Sequence, residues 1–236
     1  MNEAFKIKLP DFFPTFAVVV SVFGLATVTF FLMKPVVYFG GNFAFSSTLT
    51  GSLYAAICGV GICAVFYPRQ CQRTFSFRKE SKPSKDQTLA PKTVKFSGHH
   101  PECAEFSPNR IKIGRTLQCA ACSGLLAGAI VALVGAVLYF FIGYNFLWSD
   151  PRIIAVSNVG MVLGLFQFKF SGYGKLAVNA FFVVCSLITL VMADLLSKSL
   201  LINLYTLCLI VFLLTTRILL SNWYNKKTCI ECGQCV

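Results

Sequence analysis

The chain has 236 residues, of which 56% are hydrophobic and only 13% charged, and its mean hydropathy is +0.70. Soluble domains carry roughly a quarter charged residues, so a soluble enzyme is excluded; a disordered segment is excluded by the apolar content and a secreted disulfide miniprotein by the length. Twenty-one bases against nine acids leave a net charge of +12, and in a chain this apolar the excess speaks first of membrane topology rather than of nucleic acid.

A helix crosses about 30 Å of hydrocarbon with roughly 20 apolar residues, and six windows of that kind stand between the charges. Residues 12–33 and 43–67 carry no charge, and 117–141 lies within an uncharged run from 116 to 149. The fourth window, 153–168, is short and contains Asn158 and Gln167; 176–193 and 199–216 are each about the minimum length for a span. The first window follows Lys6 and Lys8 but is too long for the apolar region of a signal peptide. Phe31-Leu32-Met33-Lys34 lacks the small residues that cleavage requires, so this segment is expected to remain as an anchor.

Six spans place both termini on one side. Lys6, Lys8, eleven bases between 69 and 115, Lys169, Lys175, Arg217, Lys226 and Lys227 then share one face, against Lys34, Arg152 and Lys198 on the other. Cytoplasmic loops collect Lys and Arg, so a multi-pass cell-membrane protein with cytoplasmic N- and C-termini is expected. The fold class is all-α: a polytopic transmembrane helical bundle of about six spans with a small cytoplasmic Cys/His metal knuckle. Its parts are a two-span hairpin (1–67), a basic cytoplasmic loop with the knuckle (68–116), a four-span bundle (117–220) and a cytoplasmic Cys-rich tail (221–236).

Within the loop, Arg78-Lys79-Glu80-Ser81-Lys82-Pro83-Ser84-Lys85-Asp86 is polar and proline-broken, as a flexible tether would be. From Lys92 onward apolar residues return (Val94, Phe96, Phe106, Ile111, Ile113) between turn-forming Gly98, Pro101, Pro108 and Gly114, which predicts a small ordered knob. In the third window Gly124-x-x-x-Gly128, with Ala120, Ala121, Ala127 and Ala132, lines up small residues for close helix packing.

The eleven cysteines sort into populations once the spans are drawn. Cys58, Cys63, Cys185 and Cys208 fall within spans, where a thiol packs as a small hydrophobe. Cys71 follows the second span alone, as a surface thiol or an acylation point. The first group is His99-His100-Pro101-Glu102-Cys103 and, fifteen residues on, Cys119-Ala120-Ala121-Cys122. Two Cys three apart at a helix start lie on one face, and Cys103 with His99 or His100 completes a tetrahedral set of the donors zinc prefers. The positive end of the helix dipole favours thiolate there. The second group, Cys229-Ile230-Glu231-Cys232-Gly233-Gln234-Cys235-Val236, has the spacing that opens a ferredoxin cluster loop. It lacks a fourth Cys, so Cys229, Cys232 and Cys235 are candidates for an iron–sulfur cluster or a second zinc site with a borrowed ligand, or for lipidation or docking.

The run Phe96-Ser97-Gly98-His99-His100-Pro101-Glu102-Cys103-Ala104-Glu105-Phe106, Ile111-Lys112-Ile113-Gly114 and Cys119-Ala120-Ala121-Cys122-Ser123-Gly124 resembles a family of uncharacterised prokaryotic membrane proteins, and its His-His-Pro-x-Cys form is similar to archaeal members. The likeness is close over about 35 residues and looser over the last four helices. It implies a polytopic membrane protein with a metal knuckle and assigns no reaction. Asn109 departs from the pattern, which leaves the fourth ligand open between His99 and His100.

Three functions compete. The first is a membrane accessory or scaffold protein, alone or as a subunit of a larger complex, whose zinc site ties the loop to the bundle. The second is an iron–sulfur electron carrier using both thiol groups. The third is a transporter, for which Asp194 is the sole acid close to a span core; near Lys198 it is expected to pair at the interface. No catalytic constellation, nucleic-acid surface or soluble substrate is indicated. The lipid bilayer is the expected partner.

Overall fold

The computed structural model describes residues 12–33, 43–66, 96–97, 109–113, 116–144 and 150–232. Among the described residues six α-helices follow in chain order: α1 (Phe12–Met33), α2 (Phe43–Phe66), α3 (Ala120–Ala136), α4 (Pro151–Leu165), α5 (Gly172–Ser197) and α6 (Leu200–Cys232). Among the described residues five of them (all but α4) are long and apolar enough to cross a membrane, α3 together with the turn that extends it. The chain is a multi-pass membrane protein by this criterion. Large apolar side chains such as Phe23, Val60 and Leu201 stand on the outer surface, more than two-thirds exposed, where only lipid would accept so much bare hydrocarbon.

Several expected boundaries move. The third window was placed at 117–141, but residues 117–119 are strand and the helix starts at Ala120, continuing through a π-helical turn over Val137–Phe141. The fourth window, 153–168, becomes the helix Pro151–Leu165, set by Asp150 accepting from the Arg152 N–H at 2.9 Å and by Pro151 in the first turn. Fifteen residues rise only about 22 Å, short of the hydrocarbon thickness. The last two windows, 176–193 and 199–216, lengthen to Gly172–Ser197 and Leu200–Cys232, so Cys229 and Cys232 of the expected tail are the end of a continuous helix.

Helix direction alternates through the bundle. Going down α5, its partners rise in number on α3 (Gly124 beside Leu176, Gly128 beside Ala180, Tyr139 beside Asp194) and fall on α2, α4 and α6 (Tyr54 then Ser47, Gly164 then Gly160, Arg217 then Asn203). The start of α1 and the end of α6 therefore share one end of the bundle with the start of α3.

That end carries a feature absent from an all-α expectation: a small sheet of β1 (Phe96–Ser97), β2 (Arg110–Ile113) and β3 (Thr116–Cys119) in the order β1-β3-β2. β2 and β3 are antiparallel, Arg110 opposite Cys119 and Ile113 opposite Thr116, while β1 runs parallel to β3. The predicted knob is this sheet. The alternation of Ile111 and Ile113 with Arg110 and Lys112 supplies its period of two, and Ile111 is buried.

Helix α5 is the centre. Small residues of its neighbours let it in: a Cβ on Gly128 would stand 2.7 Å from the Ala180 carbonyl oxygen, one on Gly124 would collide with the Leu176 carbonyl, and Gly160 and Gly164 of α4 meet Cys185, Phe181 and Phe182. The Gly124-x-x-x-Gly128 stripe is thus a packing seam.

Candidate functional site

Strand β3 runs straight into α3, with Cys119 the last extended residue and the helix N-cap (φ −70°, ψ 121°). The strand fixes Cys119 at the helix mouth and one turn of helix returns Cys122 to the same end. Cys119 is buried and Cys122 half-buried. Behind them Ser123 Oγ donates to Gln118 Oε1 at 3.1 Å across the strand–helix junction.

Two cations lie inside the protein at this level. Lys175, in the first turn of α5, is 5% exposed, and its ammonium donates to Asn109 Oδ1 at 2.7 Å. Arg217 of α6 is 3% exposed; one guanidinium nitrogen donates to Gln167 Oε1 at 2.7 Å and to Asn179 Oδ1, the guanidinium lies 5.4 Å from the Phe182 ring centroid, and Nε has no hydrogen-bond partner among the described residues. Cys119 and Cys122 are within electrostatic range of both cations. Among the described residues every oxygen accepting from Lys175 or Arg217 is a neutral amide. Burying two positive charges against neutral partners costs several kcal/mol each unless negative charge stands nearby, and among the described residues the groups within electrostatic range that can carry it are the two thiols.

The sequence placed Lys175 and Arg217 among the surface bases that set topology; both are interior. Their signal was present, since Arg217 interrupts Leu213-Leu214-Thr215-Thr216 and Ile218-Leu219-Leu220, and an ionisable residue inside such a run marks a functional position. Asn109 is the acceptor that ties the sheet segment to α5.

Of the remaining predicted ligands, His99, His100 and Cys103 lie outside the described residues, as does Cys235. Cys229 and Cys232 sit three residues apart in the last turn of α6, on the sheet end but about 18 Å of helix beyond Arg217. Among the described residues no three His, Cys, Asp or Glu converge as a ligand set. Of the cysteines expected to pack inside spans, Cys58 and Cys185 are buried, whereas Cys63 and Cys208 face outward.

Asp194 was expected to pair with Lys198; its carboxylate oxygens accept instead from Ser47, Tyr139 and Asn203. It is fully buried, three residues before the end of α5, and exposed Lys198 forms the left-handed turn that follows (φ 49°). Comparison of the chain with family models, with curated proteins and with solved structures finds no match.

Proposed function

We propose that this protein is an integral membrane scaffold or accessory protein whose sheet end, on the cytoplasmic face, holds a structural zinc ion. Cys119 and Cys122 supply two thiolates, and Cys103 with His99 or His100 supplies the rest. Three thiolates and one imidazole around a divalent cation carry a net charge of −1, an anion that suits a pocket holding two buried cations and the positive end of α3. The observation that carries this reading is the convergence of Lys175 and Arg217, neutralised by no described carboxylate, on the two cysteines at one helix start. A closed site of this kind clamps the segment before β2 to the helix mouth and does no chemistry. With the buried Lys175 and Arg217 set aside, the sixteen-to-three split of Lys and Arg supports the cytoplasmic placement, and six alternating helices, with α4 a short member, support an even number of passes.

Elemental analysis of the purified protein tests it: one zinc per chain is expected, lost in Cys119→Ser. Unchanged zinc in that variant refutes the assignment. An iron-containing preparation absorbing in the visible replaces zinc with an iron–sulfur cluster on these thiolates.

A further inference from the structure

At the end of the bundle away from the sheet, Asp194 gathers donors from three helices. Ser47 Oγ of α2 and the Tyr139 hydroxyl of α3 each donate to Oδ2 at 3.0 Å, and Asn203 Nδ2 of α6 donates to Oδ1 at 2.6 Å. All three donors are neutral. Asn203 is itself fully buried, and the other half of its amide, Oδ1, has no hydrogen-bond partner among the described residues. Tyr139 reaches the carboxylate from the π-helical turn, where the Ile142 N–H bonds to the Val137 oxygen five residues back; such turns re-aim side chains and recur at functional sites.

An acid inside a membrane bundle is expensive and is retained where it works. Here a buried amide from α6 anchors one carboxylate oxygen, and two rotatable hydroxyls, from α2 and from the turn that extends α3, meet at the other. This is an all-oxygen set of the kind that hard cations select, and its single formal negative charge matches a single positive one. Neutral hydrogen bonds orient the carboxylate without cancelling its charge, and the Asn203 amide that holds it keeps an open acceptor among the described residues. We infer that Asp194, Ser47, Tyr139 and Asn203 form a binding site for one small monovalent cation, a proton or a sodium ion. Of the other titratable groups around it, Tyr139 comes from the π-helical turn that extends α3 and Lys198 from the turn that follows α5, while the described residues of α2 and α6 that touch Asp194 contribute only Ser47 and Asn203. The site stands apart from the zinc reading, at the other end of α5.

The experiment uses the full-length protein in detergent micelles and a hydrophobic carbodiimide, which modifies protonated carboxyl groups in apolar surroundings, with the Asp194-containing peptide read by mass spectrometry. Thermal unfolding is followed in parallel as sodium chloride replaces choline chloride at constant ionic strength. A sodium site is shown by a rise in Tm of several degrees with sodium and by protection of Asp194 from labelling. A proton site is shown by labelling that falls as pH rises and ignores sodium. In either case Asp194→Asn removes the response. Tyr139→Phe, which deletes one oxygen and leaves the charge, weakens it by about threefold to tenfold, and serves alone if the Asp194 variant does not fold. The inference is overturned if Asp194 is never labelled and sodium leaves Tm unchanged, if labelling is indifferent to both sodium and pH, or if the sodium response survives in Asp194→Asn.

Discussion

The two ends of α5 solve the same problem with opposite signs. Lys175 and Asp194 are nineteen residues apart, about 28 Å along the helix and close to the hydrocarbon thickness. Each is buried and held by neutral groups from other elements. At the Lys175 end, however, a second cation and two cysteines join it, and one of its partners, Asn109, comes from the sheet segment. At the Asp194 end all partners come from helices and all donate through hydroxyl or amide groups. The sign of the charge at each end suits what is proposed for it: an anionic metal–thiolate group at one, a cation at the other.

The largest expected effect separates the ends by metal. Cys119→Ser abolishes bound zinc, and a chelator that lowers Tm in the unmodified protein leaves this variant's Tm unmoved; the sodium or pH response of Asp194 persists in both. Next comes a wedge. Gly128→Leu pushes against the Ala180 backbone and Val183 and costs about 3 kcal/mol, measured by denaturant titration in mixed micelles. Because the clash sits nearer Lys175 than Asp194, metal content falls further than carbodiimide reactivity. A subtler change at the same end, Arg217→Gln, removes a compensating charge without touching a ligand. Zinc affinity is expected to fall by about 10- to 100-fold, the range for partners one step out from a metal ligand, read by competition with a coloured chelator. The same substitution leaves affinity unchanged if the buried cations serve packing alone. The smallest effect lies between the ends: Asn158, which donates to Thr29 Oγ1 at 2.6 Å and accepts from Thr189, contributes about 0.6 kcal/mol by the average of such interhelical bonds, so Asn158→Leu shifts unfolding slightly and neither site at all.

Much of the bundle was legible because a span is a property of consecutive residues. The uncharged windows at 12–33 and 43–67 match α1 and α2 almost residue for residue, since nothing in them competes with the helix that lipid demands. Gly124 and Gly128 declared a seam, and Cys119-Ala120-Ala121-Cys122 was recognised as a helix start. The small sheet was harder. Two to four residues per strand leave too few alternations to count, and β1 gains its definition from pairing with β3 some twenty residues away.

The charged residues were misread for a different reason. A window of hydropathy treats a base at its edge as a boundary, so Lys175 marked the start of the fifth span and Arg217 the end of the sixth. Their acceptors lie 66 residues away for Lys175 and 38 and 50 for Arg217, beyond the reach of any local pattern. Asp194 met the same difficulty: Lys198, four residues on, was the visible partner, whereas Ser47 and Tyr139 are 147 and 55 residues distant.

By itself, then, the amino-acid sequence determined that this chain forms long apolar helices able to cross a membrane, roughly where they lie, and that two thiols sit at the mouth of one of them. These follow from short-range chemistry: the length of an apolar run, the 3.6-residue turn and the absence of charge. Only the tertiary structure decided which charges face inward, that two cations share one end with the thiols, and that a carboxylate gathers hydroxyls and an amide at the other. Burial of a charge is settled by the partners that surround it, and here those partners arrive from segments far away in sequence.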